Sequence, residues 1–118
     1  MAVIGAGPAG LCTMMCARLY DPGKIIALDT DENRLDVVKD NHLADFCINP
    51  GEISEKDLEA QIRDLSHGQG ADRVFEVAGG KDTFQTAWQI ARPNAVVTLV
   101  ALYEEDQRMP LPSMEGKN

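Results

Sequence analysis

The strongest constraint on this chain is a glycine-rich segment near its start, Gly5-Ala-Gly7-Pro-Ala-Gly10. It has the pattern G-x-G-x-x-G, follows a short apolar run typical of a buried strand, and opens a segment with helical periodicity. Asp29 ends the next apolar run, 19 positions after Gly10. A strand, a glycine turn, a helix and a second strand ending in an acid form the fingerprint of a dinucleotide-binding unit.

The spacing of the glycines has a physical reason. Gly5 permits a tight turn, Gly7 lets the backbone approach a pyrophosphate, and Gly10 lets the helix pack closely on the strand. The unpaired N–H groups and the dipole at a helix start stabilise negative charge. Because Pro8 has no N–H, we expect Ala9 to be the donor there.

The acid at the end of the second strand bears on the choice of cofactor. Asp29 is expected to accept hydrogen bonds from the adenosine ribose, and its charge repels a 2′-phosphate, so NAD is favoured over NADP. Arg34 lies nearby in sequence and is the residue type that accommodates such a phosphate. A structural glycine turn followed by an unrelated surface aspartate is the alternative, which the combined strand, helix and acid disfavour.

Five short apolar segments alternate with four segments of helical pattern. The predicted strands are Ala2–Gly5, Lys24–Leu28, Ala44–Ile48, Arg73–Ala78 and Ala95–Leu102. The predicted helices start at Pro8, Asp31, Ser54 and Asp82. This alternation predicts an α/β fold, a doubly wound parallel Rossmann sheet in strand order 3-2-1-4-5 with helices on both faces. Residues 1–103 are predicted to be one dinucleotide-binding domain, and residues 104–118 its polar C-terminal tail.

Composition excludes several classes of partner. The 118 residues carry a formal net charge of -8, with no cluster of Lys and Arg. We therefore expect no nucleic-acid partner and no membrane partner, since both bind basic surfaces. Three cysteines without a C-x-x-C spacing indicate a reduced, cytoplasmic setting.

The remaining candidate ligands favour structural roles. Cys12 and Cys16 lie four positions apart, but the further ligands that a structural zinc site needs are missing nearby. We predict that these two thiols and Cys47 are packed as small apolar groups. His42 and His67 are expected at the surface near helix ends.

Taken together, four segments and the tail resemble the coenzyme-binding domain of zinc-dependent medium-chain alcohol dehydrogenases. The segments are Val3–Leu11 (VIGAGPAGL), Ala27–Leu35 (ALDTDENRL), Ala44–Pro50 (ADFCINP) and Gly70–Gly79 (GADRVFEVAG). The tail contributes Pro110–Met114 (PLPSM) and Gly116–Asn118 (GKN). The resemblance covers almost the whole chain and is far more specific than the glycine pattern alone.

The resemblance implies an oxidoreductase that passes hydride between an alcohol or carbonyl substrate and a nicotinamide cofactor. Members of that family also carry a GroES-like catalytic domain that holds zinc, and no stretch of this chain corresponds to it. We therefore expect the intact enzyme to contain zinc and to be a homo-oligomer. This chain alone is expected to bind NAD, to hold no catalytic residue and no metal ligand, and to show no alcohol turnover.

The resemblance also assigns cofactor-binding positions. Those assigned to the pyrophosphate are Gly5, Gly7, Pro8, Ala9 and Gly10. Those assigned to the adenosine half are Asp29, Thr30, Arg34, Val77, Ala78 and Gly79. Those assigned to the nicotinamide are Val100, Ala101 and Leu102. Ala101 replaces a glycine common in the family, which leaves less room for close backbone approach.

Two other functions are compatible with the glycine segment. The sequence GAGPAGL also opens many FAD-binding domains, although those usually end the second strand in glutamate and lack the Gly70–Gly79 segment. A stand-alone module that senses the NAD(H) ratio without turnover is the non-enzymatic alternative. Incomplete first and last strands disfavour that alternative, because free sheet edges promote aggregation.

Overall fold

The computed structural model describes residues 1–115, so the Gly116–Asn118 part of the resemblance lies outside the described residues. The strands are β1 (Ala2–Ile4), β2 (Ile26–Leu28), β3 (Phe46–Ile48), β4 (Ala71–Glu76) and β5 (Ala91–Leu99). The helices are α1 (Pro8–Ala17), α2 (Glu32–Asp40), α3 (Glu55–Leu65), α4 (Thr83–Ile90) and α5 (Leu111–Glu115), and a 3-10 turn at Arg18–Tyr20 extends α1.

The strands form one parallel sheet in the order β3-β2-β1-β4-β5, which confirms the predicted fold class and strand order. Val3, in the middle of β1, is opposite Ala27 on one side and Phe75 on the other. Strand order therefore reverses between β1 and β4. In open parallel sheets, ligands bind outside the carboxyl ends of the strands at such a reversal.

Two separate cores cover the two faces of the sheet, because successive side chains of a strand point to opposite faces. One core contains Ala2, Ile4, Ile26, Leu28, Ile48, Leu58, Ile62, Ala71, Val74, Ala87, Ile90 and Ala91, and therefore joins α3 and α4 to the sheet. The other contains Val3, Ala6, Met14, Ala17, Ile25, Ala27, Leu35 and Val38, and joins α1 and α2 to the opposite face. Helices on both faces are thus confirmed.

Helix α1 differs from its expected orientation. The spacing of Leu11, Met14, Met15 and Leu19 predicts an apolar stripe that faces the core. Met14 is buried, but Met15 and Leu19 are 49% and 83% exposed, so the prediction is only partly correct. The helix is apolar on most sides, so periodicity alone cannot identify its inner face.

Helix α1 has 10 residues, and within residues 1–115 no helix is both long and apolar enough to cross a membrane.

Strand β5 begins and ends earlier than predicted. Ala91 is opposite Ala71 and Val96 is opposite Arg73, so the intervening residues of β5 bulge out of the ladder. Asn94 in this bulge has φ 60°, in the left-handed region that asparagine tolerates better than most residues. Proline and asparagine disfavour a regular strand, which is why sequence patterning missed this part of β5. The residues from Val100 onward lie beyond the strand.

The sequence predicts helix caps at Ser54 and Asp82, and the structure confirms the first and not the second. The Ser54 hydroxyl accepts a hydrogen bond from the Asp57 amide at 3.1 Å and caps α3. Asp31 caps α2 by accepting from the amides of Asn33 and Arg34. Asp82 occupies the capping position of α4, but its side chain accepts no hydrogen bond there. The predicted polar tail also contains the short helix α5.

The predicted packing of the cysteines is wrong for two of the three. Cys12 and Cys16 are exposed, whereas Cys47 is half-buried in β3. Burial raises the pKa of the Cys47 thiol, and the nearby positive charge of Lys39 only partly opposes that effect. Because the thiolate is the reactive form, Cys47 is expected to be the least reactive of the three.

We expect the native chain to react with 5,5′-dithiobis(2-nitrobenzoate) in two phases at pH 7.5. Cys12 and Cys16 should account for the fast phase, and Cys47 for a phase slower by at least about tenfold, because it combines lower access with a raised pKa. Absorbance at 412 nm gives both amplitudes. Cys47→Ser should remove the slow phase alone, and denaturant should merge the phases. A single native phase for all three thiols would contradict the assignment.

Candidate dinucleotide-binding site

A cleft of about 400 Å³ lies at the carboxyl ends of β1, β2 and β4, at the reversal of strand order. Its lining includes most of the residues assigned from the sequence. Those residues are Gly5, Gly7, Pro8, Ala9, Gly10, Asp29, Thr30, Arg34, Val77 and Ala78. Lining residues that sequence reasoning missed are Ile4, Leu28, Pro50, Gly80 and Thr83. The cleft is smaller than two other grooves, but those carry neither the glycine turn nor the acid.

The glycine turn forms one wall of this cleft. Gly5 has φ 110°, a conformation that side chains rarely adopt. A Cβ on Gly10 would stand 1.8 Å from the carbonyl oxygen of Gly5, so only glycine lets α1 approach β1 this closely. Gly7 has extended backbone and occupies the capping position of α1, where no side chain of the described residues caps the helix. The start of α1 therefore offers uncapped backbone donors to an anion.

Asp29 supports the turn as well as facing the cleft. Its Oδ2 accepts a hydrogen bond from the Ala6 amide at 2.8 Å, and its Oδ1 accepts one from the Asp31 amide at 2.8 Å. The side chain is only 10% exposed. A carboxylate has about four acceptor positions. The two contacts inside the protein thus leave Asp29 able to accept further hydrogen bonds from hydroxyl groups in the cleft.

Arg34 brings positive charge to the same corner. Its Nη1 lies 3.9 Å from Asp29 Oδ2, and its Nε lies 3.9 Å from Asp31 Oδ2. The side chain is 56% exposed, so solvent weakens both ion pairs. Nη1 would also lie 3.4 Å from a Cβ on Gly7, which places the guanidinium beside the glycine turn. Arg34 can therefore act on an anionic ligand held at the start of α1.

The loop after β3 closes the side of the cleft next to Thr30. Asn49 Nδ2 donates to the Thr30 carbonyl at 3.2 Å and to Glu32 Oε1 at 2.8 Å. Asn49 Oδ1 in turn accepts from the Gly51 amide at 2.9 Å. This holds Pro50, which lines the cleft, at a defined distance from Thr30. The Asn49-Pro50-Gly51 sequence predicted a loop, but it gave no indication that the Asn49 side chain would link the loop after β3 to the segment after β2.

A buried carboxylate at the end of β4 was missed. Glu76 is fully buried, and its Oε1 accepts hydrogen bonds from the Ala78 amide at 2.7 Å and the Gly79 amide at 3.1 Å. The Tyr103 hydroxyl donates to Glu76 Oε2. Burial, together with the hydrogen bond to Glu76 and its charge, raises the pKa of Tyr103 above its ordinary value of 10.0. Glu76 lies two positions after the buried Val74 in β4, so both side chains point to the same face of the sheet. An acid at such a core position indicates that its carboxylate has a partner inside the protein.

The residues assigned to the nicotinamide lie beside the β4 turn, not in the cleft lining. The amides of Val100 and Ala101 both donate to the Glu76 carbonyl, at 3.0 and 3.1 Å. Gly79 has φ 70°, and a Cβ there would stand 2.6 Å from the Leu102 carbonyl oxygen. Leu102 itself is 93% exposed. The structure thus brings Gly79 and the segment 100–102 together at the edge of the cleft.

Comparison with known proteins agrees with this geometry. Residues 8–117 match the family described as zinc-binding dehydrogenase. The chain belongs to this family. The NADP-dependent isopropanol dehydrogenase of Thermoanaerobacter brockii is 31% identical over 117 residues, which are 98% of this chain and 32% of that protein. The resemblance to the coenzyme-binding domain of zinc-dependent alcohol dehydrogenases is therefore confirmed, and the family match does not favour the flavoprotein or sensor alternatives.

Solved structures of alcohol dehydrogenases share the fold. The apo form of zinc-dependent alcohol dehydrogenase 2 from Streptococcus pneumonia superposes with a TM-score of 0.90 at 28% identity, covering 99% of this chain and 33% of that one. The alcohol dehydrogenase TADH from Thermus sp. ATN1 gives a TM-score of 0.86 at 31% identity, covering 98% of this chain and 32% of that one. The chain spans about a third of the length of these relatives.

The two groups that the zinc-binding dehydrogenase family implies fit this chain differently. Residues 1–115 contain no group of three or more His, Cys, Asp or Glu side chains placed to hold a metal ion. The described residues therefore do not fit zinc. A dinucleotide does fit them, because the close glycine backbone, the uncapped start of α1 and the Asp29 carboxylate line one cleft.

Proposed function

We propose that this chain binds NAD(H) in the cleft and orients it for an alcohol dehydrogenase, an oxidoreductase of which the chain forms the coenzyme-binding part. The observation that carries the proposal is Asp29, a largely buried acid at the end of β2 that touches the glycine turn and keeps free acceptor positions. The family of the chain and its relatives, which are alcohol dehydrogenases, support the same assignment.

Each part of the site has a task in this proposal. The start of α1, with Gly7 and Ala9, would hold the pyrophosphate, and Arg34 would add positive charge beside it. Asp29 would accept hydrogen bonds from the adenosine ribose, and Thr30 and Pro50 would flank the adenine. When bound, the nicotinamide supplies the chemistry by accepting or donating a hydride. The chain itself positions the cofactor and excludes water from its buried half.

NADP(H) is the competing cofactor. The Thermoanaerobacter brockii relative is NADP-dependent, and Arg34 is half-exposed at the mouth of the cleft. Asp29 opposes a 2′-phosphate by charge repulsion and, because it holds the Ala6 amide, it cannot turn away without leaving a buried donor unpaired. We therefore assign NAD(H) as the preferred cofactor.

Parallel titrations of the purified chain with NADH and NADPH test this assignment. We expect NADH to bind at least about tenfold more tightly, since that ratio corresponds to only about 1.4 kcal/mol of electrostatic discrimination. Nicotinamide fluorescence and quenching of Trp88 give both dissociation constants. Tighter binding of NADPH would show that Arg34 outweighs Asp29. Binding of neither nucleotide, or a flavin absorbance spectrum, would overturn the proposal.

A further inference from the structure

Glu76 is the one fully buried charged residue among the described residues, and the proposed function gives it no task. Burying a carboxylate is costly unless it is fully hydrogen-bonded. A carboxylate in the core of the sheet therefore needs a reason other than filling space, since an apolar residue of similar volume would pack there at lower cost.

The partners of Glu76 lie on two different segments. Its side chain accepts from the Ala78 and Gly79 amides in the turn after β4, and from the Tyr103 hydroxyl in the segment after β5. Its main-chain carbonyl accepts from the Val100 and Ala101 amides. One residue thus connects the end of β4 to the whole stretch from Val100 to Tyr103.

The connection leaves these two segments little freedom. Gly79 lies so close to the Leu102 carbonyl that a Cβ would not fit between them. Val100 and Leu102, by contrast, present side chains that are 51% and 93% exposed. Hydrogen bonds of the Val100 and Ala101 amides hold the backbone of this segment in place, and the Val100 and Leu102 side chains stay exposed.

The position of the Glu76 contacts in the sheet indicates which half of a bound dinucleotide they affect. Asp29, Thr30 and Pro50 lie at the ends of β2 and β3, on one side of β1. Glu76 and Tyr103 lie at the ends of β4 and β5, on the other side. A dinucleotide that spans the reversal of strand order places its two halves on opposite sides of it.

We propose that Glu76 and Tyr103 form a clamp that positions the nicotinamide half of the cofactor by holding the segment 100–102 against the turn 77–79. The inference rests on the proposed function, because it requires a dinucleotide in the cleft. Glu76 and Tyr103 act through the backbone of these two segments, so they are positioning residues. The Glu76–Tyr103 clamp leaves the adenosine half to Asp29 and the glycine turn. The turn 77–79, which the resemblance assigns to the adenosine half, serves in this proposal as the support for the segment 100–102, because it follows the end of β4.

Tyr103→Phe tests the clamp, since it removes one hydroxyl and keeps the ring. Calorimetric titration should give the dissociation constants of NADH and of ADP-ribose, which has the adenosine diphosphate and its riboses but no nicotinamide. We expect the variant to bind NADH about tenfold more weakly and ADP-ribose within about twofold of the unchanged chain, a loss typical of one hydrogen bond to a charged group. Tyr20→Phe, at a tyrosine that is 85% exposed, is the matched control and should change neither value.

Glu76→Gln is the second variant and keeps the volume while weakening the same contacts. It should shift the ratio of the NADH and ADP-ribose constants in the same direction, with the circular dichroism of both variants unchanged. Equal weakening of both ligands, or no weakening of NADH, would overturn the clamp. Failure of the unchanged chain to bind either ligand would instead overturn the proposed function and, with it, the clamp.

Discussion

Replacing Gly10 with alanine should severely weaken dinucleotide binding and destabilise the chain. The new Cβ would stand 1.8 Å from the oxygen and 2.7 Å from the carbon of the Gly5 carbonyl. Both atoms belong to the backbone, so the strain can be relieved only by moving α1 away from β1. Overpacking of this kind costs about 1–3 kcal/mol of folding free energy, and here it also displaces the turn that lines the cleft. We expect the dissociation constant for NADH to rise by at least about a hundredfold, or about 2.8 kcal/mol.

Gly23→Ala is the matched control for this substitution. A Cβ on Gly23 meets no atom within 4 Å, and its backbone is compatible with alanine. Its free energy of unfolding should stay within about 0.5 kcal/mol of the unchanged chain. Urea unfolding and NADH titration of both variants give the comparison. If Gly10→Ala bound NADH as well as Gly23→Ala does, the close approach of α1 to β1 would be irrelevant to binding.

Asp29→Ala is expected to have the second-largest effect, and to act on both binding and stability. The substitution leaves the Ala6 amide, in a residue that is 2% exposed, without its partner. An unpaired buried donor costs about 1–3 kcal/mol. Loss of the acceptors for the ribose hydroxyls should raise the dissociation constant for NADH by about tenfold to a hundredfold. NADPH should lose less, because the repulsion of its 2′-phosphate disappears at the same time.

Two further variants separate these contributions. Asp29→Asn keeps an oxygen for the Ala6 amide while removing the charge, so it should restore most of the stability and still lower the preference for NADH. Asp36→Ala removes the same charge from an exposed position on α2 and should change neither property. Thermal unfolding and parallel titrations with NADH and NADPH measure both effects. An unchanged NADH-to-NADPH ratio in Asp29→Ala would refute the role of this acid in cofactor choice.

The topology and most of the cleft were predictable because the determining interactions are local. The glycine spacing and Pro8 at the helix start act within a few residues of their own position, and Asp29, which contacts Ala6, is recognisable by its fixed spacing from the glycines. Parallel strands that are buried on both faces have short apolar sequences, so the alternation of strands and helices was also recognisable in the sequence. These patterns depend on neither long-range contacts nor the outer surface of the domain.

The features that sequence reasoning missed depend on contacts between distant segments. The bulge that starts β5 at Ala91 is defined by its register against β4, which no local propensity encodes. The outward side of α1, with Met15, Cys12 and Cys16 exposed, could not be identified in a helix that is apolar on most sides. Glu76 is recognisable as an acid within a strand, but its partner Tyr103 lies 27 positions away.

The central place of β1 has a consequence for the order in which the chain assembles. β1 pairs with β2, which follows it in the chain after helix α1, but its other edge pairs with β4, and the Val77 amide donates to the Ile4 carbonyl across most of the chain. Contacts between such distant segments form slowly. The cleft is therefore completed only after β4 closes on β1. A ligand that needs both sides should slow unfolding of the finished domain while leaving the rate of the earlier folding steps unchanged.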